Sequence, residues 1–298
     1  MDSPIKSAND DVCIINNIEE MKTVCASARR AGRRIGLVPT MGALHEGHLS
    51  LIRRAADECD LVIVSVFVNP IQFDDASDLA RYPKNLGADA RMAAGAGADL
   101  VFAPTVAEMY PDGFSTFVDM TGVSERLCGA SREAHFRGVC TVVTKLFHIM
   151  TPDRAYFGEK DAQQLAVVRK MARELSMPVT VVGCPTVREP DGLAMSSRNT
   201  RLSPQERAAA SCLYAALQEA AKSFAAGETS PEKLRAAIKA RIESDPQTHT
   251  ESEPSIQIDY IEIIDPETFT PADPVKQGDI AAIAVYINHV RLIDNTRF

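Results

Sequence analysis

The run Ile35-Gly36-Leu37-Val38-Pro39-Thr40-Met41-Gly42-Ala43-Leu44-His45-Glu46-Gly47-His48 decides the fold. Ile35 to Pro39 is a short apolar run of strand length. Beyond the loop, Leu49 to Cys59 places apolar residues at 49, 52, 55, 56 and 59, the stripe of an amphipathic helix. Leu61 to Val68 follows, almost continuously apolar and rich in valine, as suits a parallel strand covered on both faces. Strand, loop, helix and strand in this order make a βαβ unit.

The same rhythm continues outward. Asp89 to Ala96 reads as a helix closed by Gly97, and Asp99 to Ala103 as a strand. Val142 to Met150 reads as a helix, Arg154 to Phe157 as a strand, Asp161 to Leu175 as a helix and Pro178 to Val182 as a strand. The alternation predicts an α/β fold with a parallel sheet. Ligands of such sheets bind outside the carboxyl ends of the strands.

Near residue 186 the character changes. Val187 to Arg201 is a polar loop, and Ser203-Pro204-Gln205-Glu206 is a capping box with proline at the first helical position. One helix is expected from there to Phe224 and another from Glu232 to Ile242, with a polar loop at Asp245 to Pro254. Ile256 to Ile264, Ile280 to Ile287 and Arg291 to Ile293 read as strands, so a smaller α+β domain closes the chain. The expected domains are residues 1–186 and 187–298.

Four stretches carry chemistry. In Met41 to His48, Gly42 and Gly47 allow close approach of a ligand, and the next helix turns its free N–H groups and positive end toward the loop, where a phosphate fits. His45 and His48, three residues apart, can donate to one anion, and one can serve as an acid. A bland polar loop is one alternative and a metal pair another. The zincin pattern needs four-residue spacing on a helix, whereas here a glycine intervenes. His-x-Gly-His after a first strand is a signature of a nucleotidyl-transferase superfamily.

The second stretch is Phe157-Gly158-Glu159-Lys160-Asp161, again between strand and helix. Lys160 faces the helix dipole the wrong way for stability, which is tolerable if it meets a phosphate. The third, Met195-Ser196-Ser197-Arg198, offers two hydroxyls and a guanidinium to triphosphate oxygens. The fourth, Phe67 to Phe73, sets Asn69 and Gln72 among apolar neighbours at the end of a buried strand, a setting for a small hydroxylated substrate. Each of the last three could also be an ordinary cap or turn.

Together these motifs resemble the pantothenate synthetase family, from the strand before Pro39 to Leu292-Ile293-Asp294-Asn295. His135-Phe136-Arg137-Gly138-Val139, Ala155 through Gln164, and Asp191 through Asn199 carry the resemblance almost residue for residue. It implies a Rossmann-like nucleotidyl-transferase domain that binds ATP and pantoate, then a smaller domain that hinges over the site. It implies a homodimer working with ATP and Mg2+ on pantoate and β-alanine through a pantoyl adenylate. ATP would meet Met41, Gly42, His45, Gly47, His48, Gly158, Glu159, Lys160, Asp161, Val187, Met195, Ser196, Ser197 and Arg198. His48, His45, Lys160 and Arg198 would carry the catalysis, with His48 as proton donor. Gln72, Gln164 and Asn69 would bind pantoate, Gln72 also β-alanine, and Asp89 would serve the metal. Ala43 stands where the family often has tyrosine, His148 where it has asparagine, and Asn288-His289-Val290 where it has a glycine-containing triplet.

Composition narrows the classes further. A net charge of −8 argues against a general nucleic-acid binder, which needs a broad basic surface. Seven scattered cysteines, an odd number with no C-x-x-C spacing, suggest neither a disulfide framework nor a zinc knuckle. Met1 to Asn17 lacks the pattern of a signal peptide, and no apolar run is long enough to span a bilayer, so a cytoplasmic protein is expected. Three rivals stay open: another nucleotidyl transferase, an aminoacyl-tRNA synthetase, and a binding module that kept the fold.

Overall fold

The computed structural model describes residues 12–74, 76–132, 134–244 and 254–298. The chain forms two compact units. The first holds the residues to Met120, with Arg132–Gly158 and Val167–Cys184; the second holds Thr121–Ser131, Glu159–Ala166 and Pro185–Phe298.

Six strands build the sheet of the first unit: β1 (Cys13–Ile15), β2 (Ile35–Thr40), β3 (Leu61–Val66), β4 (Leu100–Phe102), β5 (Arg154–Gly158) and β6 (Thr180–Cys184). Every pairing is parallel, in the order β1-β4-β3-β2-β5-β6. From β2 the chain builds outward through β3 and β4, then returns to the other side of β2 for β5 and β6. That reversal makes the β2–β5 pair the topological switch point, where such sheets open a crevice for ligand. Gly36 pairs with Arg154 and Leu37 with Ala155, so the carboxyl ends of the two strands lead away from the same end of the sheet.

Burial explains the order. Ile35, Leu37, Val38, Val62, Ile63 and Val64 are all buried, as a central parallel sheet with helices on both faces requires. Helix Glu46–Glu58 lays Leu51, Ile52 and Ala55 against Val38 and Val64. Each fully buried aliphatic side chain of this kind contributes about 1.5–3 kcal/mol.

The second unit carries an antiparallel sheet, β7 (Ile256–Ile264), β8 (Ile280–Ile287) and β9 (Val290–Arg297), in that order. Leu213, Leu217, Leu234 and Ile238 from helices Cys212–Ala225 and Pro231–Glu243 form one core with Ile263, Ile283 and Val285 of the sheet. Among the described residues no helix is long and apolar enough to cross a membrane.

Several expected boundaries move. The helix expected at Leu49 begins at Glu46, because the stripe marks only the buried face and not the capped first turn. The helix expected at Val142 begins at His135, seven residues early; Gly138, a poor helix former, lies inside it. The helix expected from Pro204 to Phe224 is interrupted: Pro204–Ala210 ends at Ser211, whose hydroxyl bonds back to Ala208 O at 2.8 Å. The strand expected at Pro178 to Val182 lies two residues later. Helix Ile18–Arg30, outside the expected elements, is capped by Asn17, whose side chain accepts from Glu19 and Glu20 N–H. The polar loop at Asp245 to Pro254 falls, up to residue 253, outside the described residues, as do residues 1–11 of the polar amino terminus.

Candidate active site

Thr40, at the carboxyl end of β2, starts the loop. Its hydroxyl donates to Ser65 O at 2.7 Å and accepts from Gly42 N–H at 3.1 Å. Gly42 has φ +80, and a Cβ there would stand 2.8 Å from Asp89 Oδ2, so glycine is required twice over. Asp89, buried on helix Leu86–Gly95, accepts from Ala43 N–H at 3.1 Å and from Leu44 N–H at 2.8 Å. One carboxylate therefore fixes two consecutive loop amides.

The histidines then build the helix start themselves. His45 is the N-cap, and its Nδ1 accepts from Gly47 N–H at 3.1 Å. His48 sits in the first turn, and its Nδ1 accepts from His45 N–H at 3.3 Å. This is a capping box in which two imidazoles replace the usual Ser and Glu. Because a backbone N–H can only donate, each neutral ring carries its proton on Nε2. The ring centroids lie 4.1 Å apart. The expected loop holds both histidines, but the helix begins at Glu46 and includes His48.

Asn69 and Gln72 lie beyond β3, both buried. Asn69 Nδ2 donates to Gln72 Oε1 at 3.0 Å and to Gly138 O at 3.1 Å, while its Oδ1 accepts from Tyr110 Oη at 2.8 Å. The carbonyl of Gly138 only accepts and so sets which way the Asn69 amide faces. Burial pushes the Tyr110 hydroxyl up from its ordinary range, so it stays a donor. Gln72 Oε1 is thereby committed to Asn69, and its Nε2 points at Met41 Sδ, 2.9 Å away. The Gln72 carbonyl is held by Arg132 Nη2 at 3.2 Å and His135 Nδ1 at 3.0 Å. Neither Tyr110 nor Gly138 was singled out from the sequence for this part, since their partners lie up to 69 residues away.

In the second unit, Glu159–Asp161 is a 3₁₀ turn leading into helix Ala162–Glu174. Lys160 is 18 % exposed and its Nζ lies 3.8 Å from Asp161 Oδ1, a loose pair. Gly158, which ends β5 in the first unit, needs no glycine for its own packing: a Cβ there would meet nothing within 4 Å. The consecutive glutamines part company. Gln163 is buried and spends its amide on Cys128 N–H, Val123 O and Arg126 O, whereas Gln164 is half-buried.

The loop from Val187 folds on itself, with Met195 N–H donating to Val187 O at 3.0 Å and Glu189 N–H to Leu193 O at 2.9 Å. Ser196 caps a 3₁₀ turn, Ser197–Arg201, by accepting from Arg198 N–H at 3.2 Å. Arg207 pairs with Glu189 and Asp191 and holds the Asp191 carboxyl below the usual carboxylate range. Val187, Met195, Ser196, Ser197 and Arg198 are all half-buried. Of the departures from the family pattern, Ala43 and Asn288 both have positive φ, 51 and 50, and asparagine tolerates that region where glycine is usual. His148 is exposed, with its Nδ1 2.8 Å from Thr144 O.

A parallel α/β sheet with a His-x-Gly-His helix start at its switch point defines a nucleotidyl-transferase type of enzyme. Residues 13–297 match the family described as pantoate-beta-alanine ligase. A pantothenate synthetase from Heliobacterium modesticaldum is 52 % identical over 282 residues, covering 95 % of this chain and 98 % of that one. The crystal structure of pantothenate synthetase from Thermus thermophilus is similar with a TM-score of 0.88 and 44 % identity, over 96 % of this chain and 99 % of that one. A Francisella tularensis pantoate-beta-alanine ligase, complexed with beta-gamma ATP and beta-alanine, gives 0.77 at 33 % identity, over 96 % and 97 % of the two chains. The chain belongs to the pantoate-beta-alanine ligase family and is an ATP-dependent ligase that joins pantoate to β-alanine.

Proposed function

We infer that the ligation runs through a pantoyl adenylate. The pantoate carboxylate attacks the α-phosphorus of ATP and pyrophosphate leaves; the neutral amine of β-alanine then attacks the acyl carbon and AMP departs. The observation that carries this reading is the double-histidine helix start, which aims a dipole and imidazole Nε2 protons away from the backbone they cap. His48 is the proposed proton donor, with His45 beside it.

A carboxylate attacking a polyanion is opposed by charge, so catalysis rests on positioning and on cations near the phosphates. Lys160 and Arg198 supply two. Met41, Gly42 and Gly47 are assigned to ATP with the histidines, as are Gly158, Glu159, Asp161, Val187, Met195, Ser196 and Ser197. Gln72 offers its Nε2 to pantoate and β-alanine, and Gln164 serves pantoate. Asn69, with its amide spent inside the protein, serves pantoate through Gln72.

Mg2+ fits this donor set. Among the described residues no group of three or more His, Cys, Asp or Glu converges on one point. Mg2+ commonly rides on substrate phosphates, keeps several waters and takes only one or two carboxylates. Asp89 would be such a carboxylate, through lone pairs left over from Ala43 and Leu44, and the ion would neutralise phosphate charge.

The domain reading, with residues 1–186 binding ATP and pantoate and residues 187–298 as the smaller lid, belongs to the same proposal, as do a homodimer and a cytoplasmic location. The test is pantoate-dependent exchange of labelled pyrophosphate into ATP, with Mg2+ present and β-alanine absent. Exchange that needs pantoate is the expected result. Exchange that appears only with β-alanine, or not at all while ligation proceeds, would exclude a free adenylate.

A further inference from the structure

We propose that Asn295, three residues before the carboxyl terminus, is a positioning residue for adenylation: its side-chain amide holds the turn that carries Lys160. Asn295 Nδ2 donates to Glu159 O and to Lys160 O, both at 2.9 Å. An amide NH2 has two hydrogens, and these two carbonyls use both. The lysine backbone is thereby tied on its carbonyl side to a strand that lies 135 residues further along the chain.

The strand is itself anchored. Asp294 is buried and takes the Arg188 guanidinium in a fork at 2.7 and 3.0 Å. Asp294 Oδ1 also accepts from Asn295 N–H at 2.8 Å, which fixes the backbone from which the Asn295 amide projects. Arg188 donates in addition to Gly192 O at 3.0 Å and stacks 3.9 Å over the Tyr214 ring. The dipeptide Asp294-Asn295 therefore reaches two segments that bear assigned phosphate contacts. Asn295 grips the Glu159–Asp161 turn, and Asp294 grips the loop that continues to Ser196, Ser197 and Arg198. These tasks give the Leu292-Ile293-Asp294-Asn295 tail a use in the adenylation step beyond completing a sheet.

The chemistry is directional. Two carbonyl oxygens need a donor, so the isosteric aspartate cannot replace Asn295; it would set a carboxylate against both. The inference rests on the reading of Lys160 as a phosphate contact, and the test separates the two.

Asn295→Ala, Asn295→Asp, Lys160→Ala and the Asn295→Ala/Lys160→Ala double variant are compared by pyrophosphate exchange, normalised to folded protein by circular dichroism. Equilibrium ATP binding is measured on the same four and completes the cycle where exchange is too slow. Losing two neutral hydrogen bonds that position a phosphate contact is expected to slow exchange roughly tenfold in Asn295→Ala, and at least as much in Asn295→Asp. In the Lys160→Ala background the Asn295 change should add less than about twofold, because the contact it positions is gone.

Wild-type exchange in Asn295→Ala or Asn295→Asp, with Lys160→Ala impaired, would overturn the positioning role alone. So would a full-sized Asn295 effect that persists without the lysine, which is what a merely structural role predicts. Wild-type exchange in Lys160→Ala would remove the reading of Lys160 and the positioning role with it.

Discussion

The histidine loop and the lysine turn each follow a strand of the parallel sheet, yet they are held by different means. Met41–His48 is fixed within its own unit: Thr40 at its root, the histidines capping the helix they begin, and Asp89 of the next helix, Leu86–Gly95, on its amides. Glu159–Asp161 is fixed by Asn295 on the last strand of the chain. In the first region the scaffold and the chemistry are the same residues. In the second they are separate, so the scaffold can be removed while the lysine stays. The first region should therefore fail as a whole when one member is lost, and the second should fail by degrees.

The largest expected effect tests whether the two regions serve one step. His48→Ala and Lys160→Ala should each slow adenylate formation by roughly 10²–10³, or about 2.7–4 kcal/mol, the usual cost of one transition-state donor. Near wild-type exchange in either variant would leave the step to the other region alone. His48→Ala also removes one half of the capping box, at a typical cost of ~1 kcal/mol of stability. Lys160→Ala carries no such cost, so thermal melts of the two should differ while their rates fall together.

The second effect concerns how closely the first unit is packed around Gln72. A Cβ on Gly138 would stand 2.5 Å from Ile71 O and 2.6 Å from Gln72 Cα, both backbone atoms that cannot yield by rotation. Gly138→Ala must push the Gln72 segment aside. A shift of ~1 Å at a positioning group can cost roughly 10²-fold, so kcat/KM for pantoate should fall by about that factor while ATP binding holds. An unchanged kcat/KM for pantoate would show that Gln72 does not position it.

These contacts bear on what could be read from the sequence. The strand-loop-helix at Ile35–Cys59 was legible because one contiguous stretch holds the apolar period, the glycines and the histidines. That a ligand binds outside the carboxyl ends of the strands followed from the alternation of elements, whereas the switch point between β2 and β5 needs the strand order. The capping box was not legible, since histidine is not a usual capping residue and the apolar stripe is silent about the first turn. Gly138 hid the first half of its own helix, because a glycine needed for close approach reads locally as a break. The family resemblance assigns Asp89 to the metal, and only the fold shows its oxygens on Ala43 and Leu44 amides. The lysine turn was found by its motif, but nothing near it in sequence points to Asn295. Sequence reading reaches as far as the residues that fix a segment are local to it.

A smaller effect separates direct from relayed contacts within the first unit. Tyr110→Phe removes only the hydroxyl that donates to Asn69 Oδ1. Asn69 keeps its bonds to Gln72 and Gly138 but becomes freer to turn. The loss of one neutral hydrogen bond, about 0.5–1.5 kcal/mol, corresponds to a rise in pantoate KM of roughly two- to tenfold. In a Gln72→Ala background the same change should do nothing more. A rise in ATP KM instead would place Tyr110 in another network.

The smallest effect asks whether the second unit has other remote ties that act through charge. Glu206, buried at the start of helix Pro204–Ala210, accepts from Ser203 N–H at 2.7 Å and from the Asn288 amide of the β8–β9 turn. The Ser203 backbone bond, then Asn288, lower its pKa below the ordinary 4.5. A carboxylate whose folded pKa is depressed binds protons more readily when unfolded. Its contribution is therefore complete above the unfolded value of about 4.3 and is lost as pH falls through the lower folded value. Glu206→Gln keeps the length and the acceptor but has no charge to titrate. The stability gap between wild type and Glu206→Gln should be constant from pH 7 to 5 and then narrow on acidification, as denaturant melts at each pH would read out. A gap that stays level through pH 3 would mean that the tie is geometric only, and that charge plays no part in holding this end of the second unit.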